Sequence, residues 1–267
     1  MIATWTLDDG SVFVNTSVDN EAQVLDYIAP KVIDYTDDIG NKILSLYPVS
    51  AFDVQARAYP KTSPQYFRAS RIVRDLYLTC PLLTIAESVS KYGTEDVYVS
   101  ELNETRLQPY WEAANLPWGI SHLSDIPYFF NEVMPPPGDN GERAFELSAS
   151  YSGSFISFAS KGNPVEKGKE TFQDWPRANT DGNFGMTALV IGGLHGTGPA
   201  TTAPRTHSSV SSDHRMSPIW RHGTHKHDQI ELRKRSSHFP SSDPRETALQ
   251  QEDLVRRCKY LTSLRIK

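Results

Sequence analysis

Apolar and polar positions along the chain predict many short elements. MIATWTLDDGSVFV at the N-terminus reads as a short strand, a polar turn at Asp8-Asp9-Gly10 and a second apolar start. Between residues 19 and 46, Val24, Leu25, Ile28, Ile33, Ile39, Ile43, Leu44 and Leu46 are punctuated by Pro30 and Gly40, which predicts short helices. LYPVSAF reads as a turn or loop. The strongest helical segment is SPQYFRASRIVRDLYLTC: Ser63 suits a cap, Pro64 the first helical position, and Ile72, Val73, Leu76 and Tyr77 form one stripe. A second helix, roughly 81–92, presents Leu82, Ile85, Ala86, Val89 and Tyr92 and stops at Gly93. DVYVSEL, 96–102, has the alternation of a strand. Residues 124–130 suit a helix start, with Ser124 as cap and Pro127 in the first turn. FELSASYSGSFISFASKGNP puts Leu147, Tyr151, Phe155 and Phe158 on one helical face, with Gly162 as the stop.

The pattern fades past residue 182. Residues 195–247 are rich in Ser, Thr, His, Arg and Pro, lack sustained periodicity and contain seven of the eight histidines: His195, His207, His214, His222, His225, His227 and His238. Three regions follow: an ordered body over 1–182, a low-complexity segment expected to be disordered over 183–248, and a terminal helix over 249–267 carrying Cys258. Charge divides the same way. Residues 1–182 hold 14 Lys and Arg against 25 Asp and Glu, and the remainder 13 against 7. An acidic body excludes a general nucleic-acid surface, and no run of eighteen apolar residues indicates a membrane span. Cys80 and Cys258 lie far apart with no CxxC, which fits two buried thiols or one disulfide. Asn15 in NTS and Asn103 in NET are glycosylation sequons. The N-terminus shows no basic patch and apolar stretch of the kind a signal peptide has.

The chemistry-bearing residues are few. HGTHKH brings His222, His225 and His227 close together, but without the cysteine or carboxylate ligands of a built zinc site it reads as composition. GGLHGTG, 192–198, is glycine-rich yet has neither the GK[ST] ending nor the dinucleotide spacing, so no cofactor is implied. His122, in PWGISHLSDIPYFF, stands alone in the body. A hydrolytic triad would need it beside a nucleophile and a carboxylate that fixes its tautomer, and Asp8 and Asp9 sit at a strand end where α/β proteins mount reactive groups. A capping or core histidine is the alternative. No GxSxG occurs, and Ser11 and Ser154, each after a glycine, lack the strand–turn–helix setting of a nucleophile elbow. Trp5, Trp111, Trp118 and Trp175 suit core packing or a cleft lining.

Taken together, TLDDGSVF, YFRASRIVRDLYLTCPLLTIAESVSKYG with DVYVSEL, GISHLSDIPYFF, FISFASKGNP, FQDWP and LVRRCKYLTSL resemble the C-terminal portion of a type-B carboxylesterase. The likeness is to the cholinesterase/carboxylesterase family of α/β-hydrolases, its fungal members above all, over residues 1–176 and about 249–264. It implies an incomplete α/β-hydrolase fold: the C-terminal part of a mixed sheet with packed helices. It also implies a carboxylic ester hydrolase with Asp9 and His122 as acid and base of the triad, no cofactor, and a small-molecule ester as substrate once the fold is complete. Asp9 stands where the family has glutamate, one methylene shorter. The resemblance further implies a Cys80–Cys258 disulfide and an extracellular setting. The elbow serine and oxyanion loop have no counterpart here, so the chain is expected to be catalytically incomplete alone, with apolar helix faces exposed to self-association. A non-catalytic, cholinesterase-like interaction or adhesion protein is the alternative.

Overall fold

The computed structural model describes residues 1–93, 95–133, 141–180, 182–203 and 243–266. Four strands form one sheet in the order β1 (Ile2–Thr6), β2 (Tyr98–Leu102), β3 (Thr187–Ile191), β4 (Gly198–Thr201). The first three are parallel, with Trp5 opposite Glu101 and Glu101 opposite Val190; β4 returns antiparallel to β3. Parallel strands need both faces covered, and alternate side chains feed two cores. Ala3, Trp5, Val99, Ala188 and Val190 enter one core, while Tyr98, Leu102, Leu189 and Ile191 enter the other.

The first face is covered by α1 (Glu21–Ile28), α2 (Asp37–Leu46), α3 (Asp53–Ala58), α4 (Pro64–Arg74) and α5 (Cys80–Tyr92). Asn20 caps α1 and Thr36 caps α2. Gly40 does not break α2 but lies buried inside it, where a side chain would strike the Tyr35 hydroxyl. LYPVSAF, expected as a loop, winds as a 3-10 turn over Val49–Phe52. Ser63 accepts from the Gln65 N–H and Pro64 opens α4, as the pattern predicts. Between α4 and α5 the chain passes through a π-helical turn, Asp75–Thr79, where the Cys80 N–H reaches back to the Asp75 carbonyl. Pro81 has no N–H to continue the ordinary ladder there.

The second face is covered from beyond β2. After α6 (Gln108–Ala113) and α7 (Ile126–Phe129) comes α8 (Glu142–Lys161), ended by Gly162 at φ +73°. Ser124 is not the cap of α7; Asp125 holds that position and Ser124 is fully buried. Tyr151 of α8 packs with Phe172 and Trp175 against Tyr98 and Ile191. Trp5 is core as well, and Trp111 and Trp118 pack edge to face at 4.9 Å.

Residues 183–203, expected to be without structure, contain β3 and β4, and GGLHGTG is the turn between them. Gly192, Gly193 and Gly196 all have positive φ there, and Thr197 Oγ1 accepts from the Gly192 N–H at 3.0 Å. The low-complexity stretch 204–242 lies outside the described residues. The C-terminal segment forms two helices, α9 (Pro244–Gln251) and α10 (Leu254–Leu261), that pack back on the first core. A Cys80–Cys258 disulfide spanning 178 residues fastens α10 to the head of α5. The stripe running from α4 into the π-helical turn is buried at Ile72, Val73 and Leu76, whereas α5 buries Leu83 and Ala86 and leaves Ile85 and Tyr92 of its expected stripe 54% and 78% exposed. The sheet and the C-terminal pair pack against the buried faces of these helices. Among the described residues no helix is long and apolar enough to cross a membrane.

Candidate active site

The site is built where β1 runs out. Leu7 N–H still bonds to the Leu102 carbonyl, and the chain then turns sharply through Asp8, Asp9 and Gly10. The turn lies against the backbone of α4; a Cβ at Gly10 would drive into the Ser70 carbonyl. Asp9 is nearly buried. Its Oδ2 accepts from the Thr6 N–H at 3.2 Å, which fixes the carboxylate and aims Oδ1 outward.

His122 arrives on the loop after α6. Its Nδ1 is 2.8 Å from Asp9 Oδ1, across 113 residues of sequence. Beside an ionised carboxylate, Nδ1 carries the proton and donates it, which leaves the Nε2 lone pair free. The imidazole is 37% exposed and the carboxylate side chain 8%. Nε2 has no hydrogen-bond partner among the described residues, and the Phe13 ring lies 5.3 Å from the imidazole. Leu123, held at φ +69°, is exposed, as are Ile126, Phe129 and Phe130 in the segment that follows. Asp125, three residues on, has its carboxyl pushed above the usual range by burial, with Asp9 adding to the effect and His122 opposing it.

The loop is moored by Asp8. Its N–H donates to the Ile120 carbonyl at 3.0 Å and its Oδ2 accepts from the Ile120 N–H at 3.1 Å. Asp8 and Asp9, alternatives in the sequence, thus part company: Asp9 faces His122 and Asp8 faces the loop backbone. Burial raises the Asp8 carboxyl, while Arg71 and the Ile120 N–H draw it down.

The two serines singled out by their preceding glycines lie elsewhere. Ser11 Oγ is buried and donates to the Trp118 carbonyl at 2.8 Å. Ser154, fully buried in α8, accepts from the Phe172 N–H at 2.9 Å. Neither hydroxyl bonds to His122. Asn15 is exposed, whereas Asn103 is half-buried with its Oδ1 enclosed. His222, His225 and His227 lie outside the described residues.

Sequence reasoning missed a buried ionic cluster behind the site. Arg74, with no exposed surface, contacts Asp75 and Glu252 at 2.7 Å each and donates to the Leu7 carbonyl at 3.1 Å. Tyr47 donates to Asp75 at 2.7 Å, and Arg257 stacks over the Tyr47 ring at 4.2 Å. Glu101 accepts from the Trp5 indole at 2.8 Å, and burial with the neighbouring Glu252 raises its carboxyl to about 8. The available signal was the recurrence of Arg68, Arg71 and Arg74 at every third position of a helix that also carries Tyr66, Phe67, Ile72 and Val73.

Comparison with known proteins follows the same outline. The sequence model of the carboxylesterase family matches residues 1–188. An inactive carboxylesterase-like protein of Byssochlamys spectabilis, VdtD, is 31% identical over 189 residues, which is 67% of this chain and 32% of that protein. A secreted lipase of Arthroderma benhamiae is 28% identical over 198 residues, 71% of this chain and 32% of the lipase. The chain thus spans about a third of the length of these curated relatives. Among solved structures, EstA of Aspergillus niger superposes with a TM-score of 0.56 at 22% identity, covering 76% of this chain and 37% of EstA. A PNB esterase gives 0.51 at 16% identity, covering 75% and 36%. The chain belongs to the carboxylesterase family, and its mixed sheet with packed helices is a partial α/β-hydrolase fold.

Proposed function

We propose that this carboxylesterase-family chain carries the acid–base half of a serine-type carboxylic ester hydrolase, with His122 as proton carrier and Asp9 as the carboxylate that orients it. The 2.8 Å contact between His122 Nδ1 and Asp9 Oδ1, with Nε2 unpartnered among the described residues and the Phe13 ring alongside, carries the reading. In such a device Nε2 accepts the proton of a nucleophilic hydroxyl as the oxygen attacks the ester carbonyl. The imidazolium, stabilised by ionised Asp9, then gives that proton to the departing alcohol. A water molecule repeats the sequence to free the acid. Aspartate serves in place of the family's glutamate because the Thr6 N–H anchors one oxygen and leaves the other within reach of the ring. Phe13, Leu123 and Ile126 suit the apolar part of a small ester.

The nucleophile and oxyanion donors are assigned to polypeptide beyond this chain, since the sequence holds no GxSxG and Ser11 and Ser154 are bonded elsewhere. Purified chain is expected to leave a short-chain aryl ester unhydrolysed; turnover that vanishes in His122→Ala would overturn that assignment. Co-folded with the part of the Arthroderma lipase that it does not match, the wild-type chain is expected to support hydrolysis. His122→Ala should then reduce it by roughly 100-fold to 10,000-fold. Equal activity in the two chimeras would remove His122 from the chemistry. An inert wild-type chimera would favour the non-catalytic, interaction-type reading.

We also place the chain outside the cell. A disulfide persists in oxidising compartments, and Asn15 is an exposed sequon. Expressed behind a heterologous leader in a eukaryotic host, the chain should show a glycosidase-sensitive mobility shift. Asn15→Gln should abolish it and Asn103→Gln leave it intact.

A further inference from the structure

We infer that Asp8, whose carboxylate bonds to the backbone of Ile120 and not to the His122 ring, is a positioning residue for that histidine, held by Arg71 and through it by Glu252 in the C-terminal helix pair. The inference rests on the reading of His122 as the base.

Three observations support it. First, Asp8 occupies both main-chain groups of Ile120, two residues ahead of His122, at 3.0 and 3.1 Å. Ser11 Oγ ties the same loop to the turn further back, at the Trp118 carbonyl, so the Asp8 clamp is the side-chain tie nearest in sequence to the histidine's own backbone and bears most directly on how the loop meets Asp9. Second, the loop is cut to receive the carboxylate. Gly119 adopts φ +58°, and a Cβ there would fall on Asp8 Oδ2. The close approach therefore depends on a residue without a side chain. Third, the other oxygen is held from behind. Asp8 Oδ1 faces Gln55 Nε2 at 3.3 Å and Arg71 at 3.6 Å across a cavity of about 50 Å³. Arg71 reaches Glu252 at 3.3 Å. Glu252 sits between α9 and α10, the pair fastened by Cys258. A line of ionic contacts thus runs from the C-terminus to the backbone that carries the base.

A carboxylate that only stabilises the fold would leave the imidazole unaffected when it is exchanged with the fold intact. The test is the imidazole Nδ1–H proton of the full chain with ¹⁵N-labelled histidine, assigned by its disappearance in His122→Gln. Asp8→Ala should accelerate exchange of that proton with solvent by about tenfold or erase its signal, as expected for losing one anchoring hydrogen bond. Asp8→Asn keeps an acceptor for Ile120 and should return the rate to within about twofold of wild type. Should Asp8→Ala fail to fold, Gly119→Ala and Arg71→Gln address the same clamp from its two sides and should each speed exchange. Wild-type exchange in the folded variants would overturn the inference, as would an Asp8→Asn loss equal to that of Asp8→Ala. Asp9→Ala separates the two levels. It should abolish the signal; if it does not, the histidine–carboxylate relay itself falls. If it does and Asp8→Ala changes nothing, only the role of Asp8 falls.

Discussion

Gly10 is where the site presses hardest on its scaffold. The turn that exposes Asp9 to His122 lies on α4 with no room for a methyl group, since the Ser70 carbonyl and the Arg74 N–H already occupy that space. Gly10→Ala should force the turn outward and cost about 2–3 kcal/mol, in the upper range for overpacking against atoms that cannot yield. The loss should show as a lower urea midpoint at unchanged m-value. An unchanged midpoint would mean the turn can slide along α4. The Asp9–His122 pair was legible only through the family resemblance of TLDDGSVF and GISHLSDIPYFF; the residues by themselves left Asp8 and Asp9 as alternatives. Asp8 was not separable from Asp9, because its partners are the N–H and carbonyl of Ile120. Main-chain groups carry no sequence signature.

The elements show the same division. The α4 and α5 helices could be read from their caps and stripe, and Pro81 marks the place where the ladder shifts to a π turn. β3 was obscured because TALVI is a bare apolar run followed by glycines, a pattern that periodicity alone cannot assign. The 3-10 turns and α6 are too short to show a period. The C-terminal pair is the element whose contribution can be measured most directly. On the chain-entropy estimate a disulfide closing so long a loop restrains the unfolded chain by about 4–5 kcal/mol, and measured bonds usually deliver about 2–4. Cys258→Ser is expected to fall in the measured range, read from denaturant midpoints. Because α10 also brings Arg257 to Asp75 and Leu46, the variant should loosen the ionic cluster as well. A Cys80→Ser/Cys258→Ser chain as stable as wild type would show that packing alone seats α10.

Across the whole molecule, the strands, the long helix pair and the C-terminus meet at one buried set of charges, and its balance sets a pH dependence. Arg71, Arg74 and Arg257 face Asp8, Asp75, Glu101 and Glu252, three cations against four carboxyls. Burying an unmatched charge is costly, and the surplus is removed if one carboxyl keeps its proton. Glu101 is the one whose carboxyl is raised to about 8, while Glu252, drawn down by Arg74 and Arg71, stays ionised. The sign follows from linkage. Between the ordinary glutamate value and about pH 8 the folded chain holds a proton that the unfolded chain has released. Stability from Glu101 is therefore full on the acid side of that window and declines as pH rises through it. Glu252 acts in the opposite sense, and only below the ordinary glutamate range, where acid would protonate it. The melting temperature should consequently fall from about pH 5 to about pH 8. Glu101→Gln should flatten that slope, because the amide is neutral throughout, can accept from the Trp5 indole and can donate to Glu252. Parallel pH–melting profiles for the two proteins would mean that Glu101 is ionised in the folded state and that the fourth negative charge is carried without a proton.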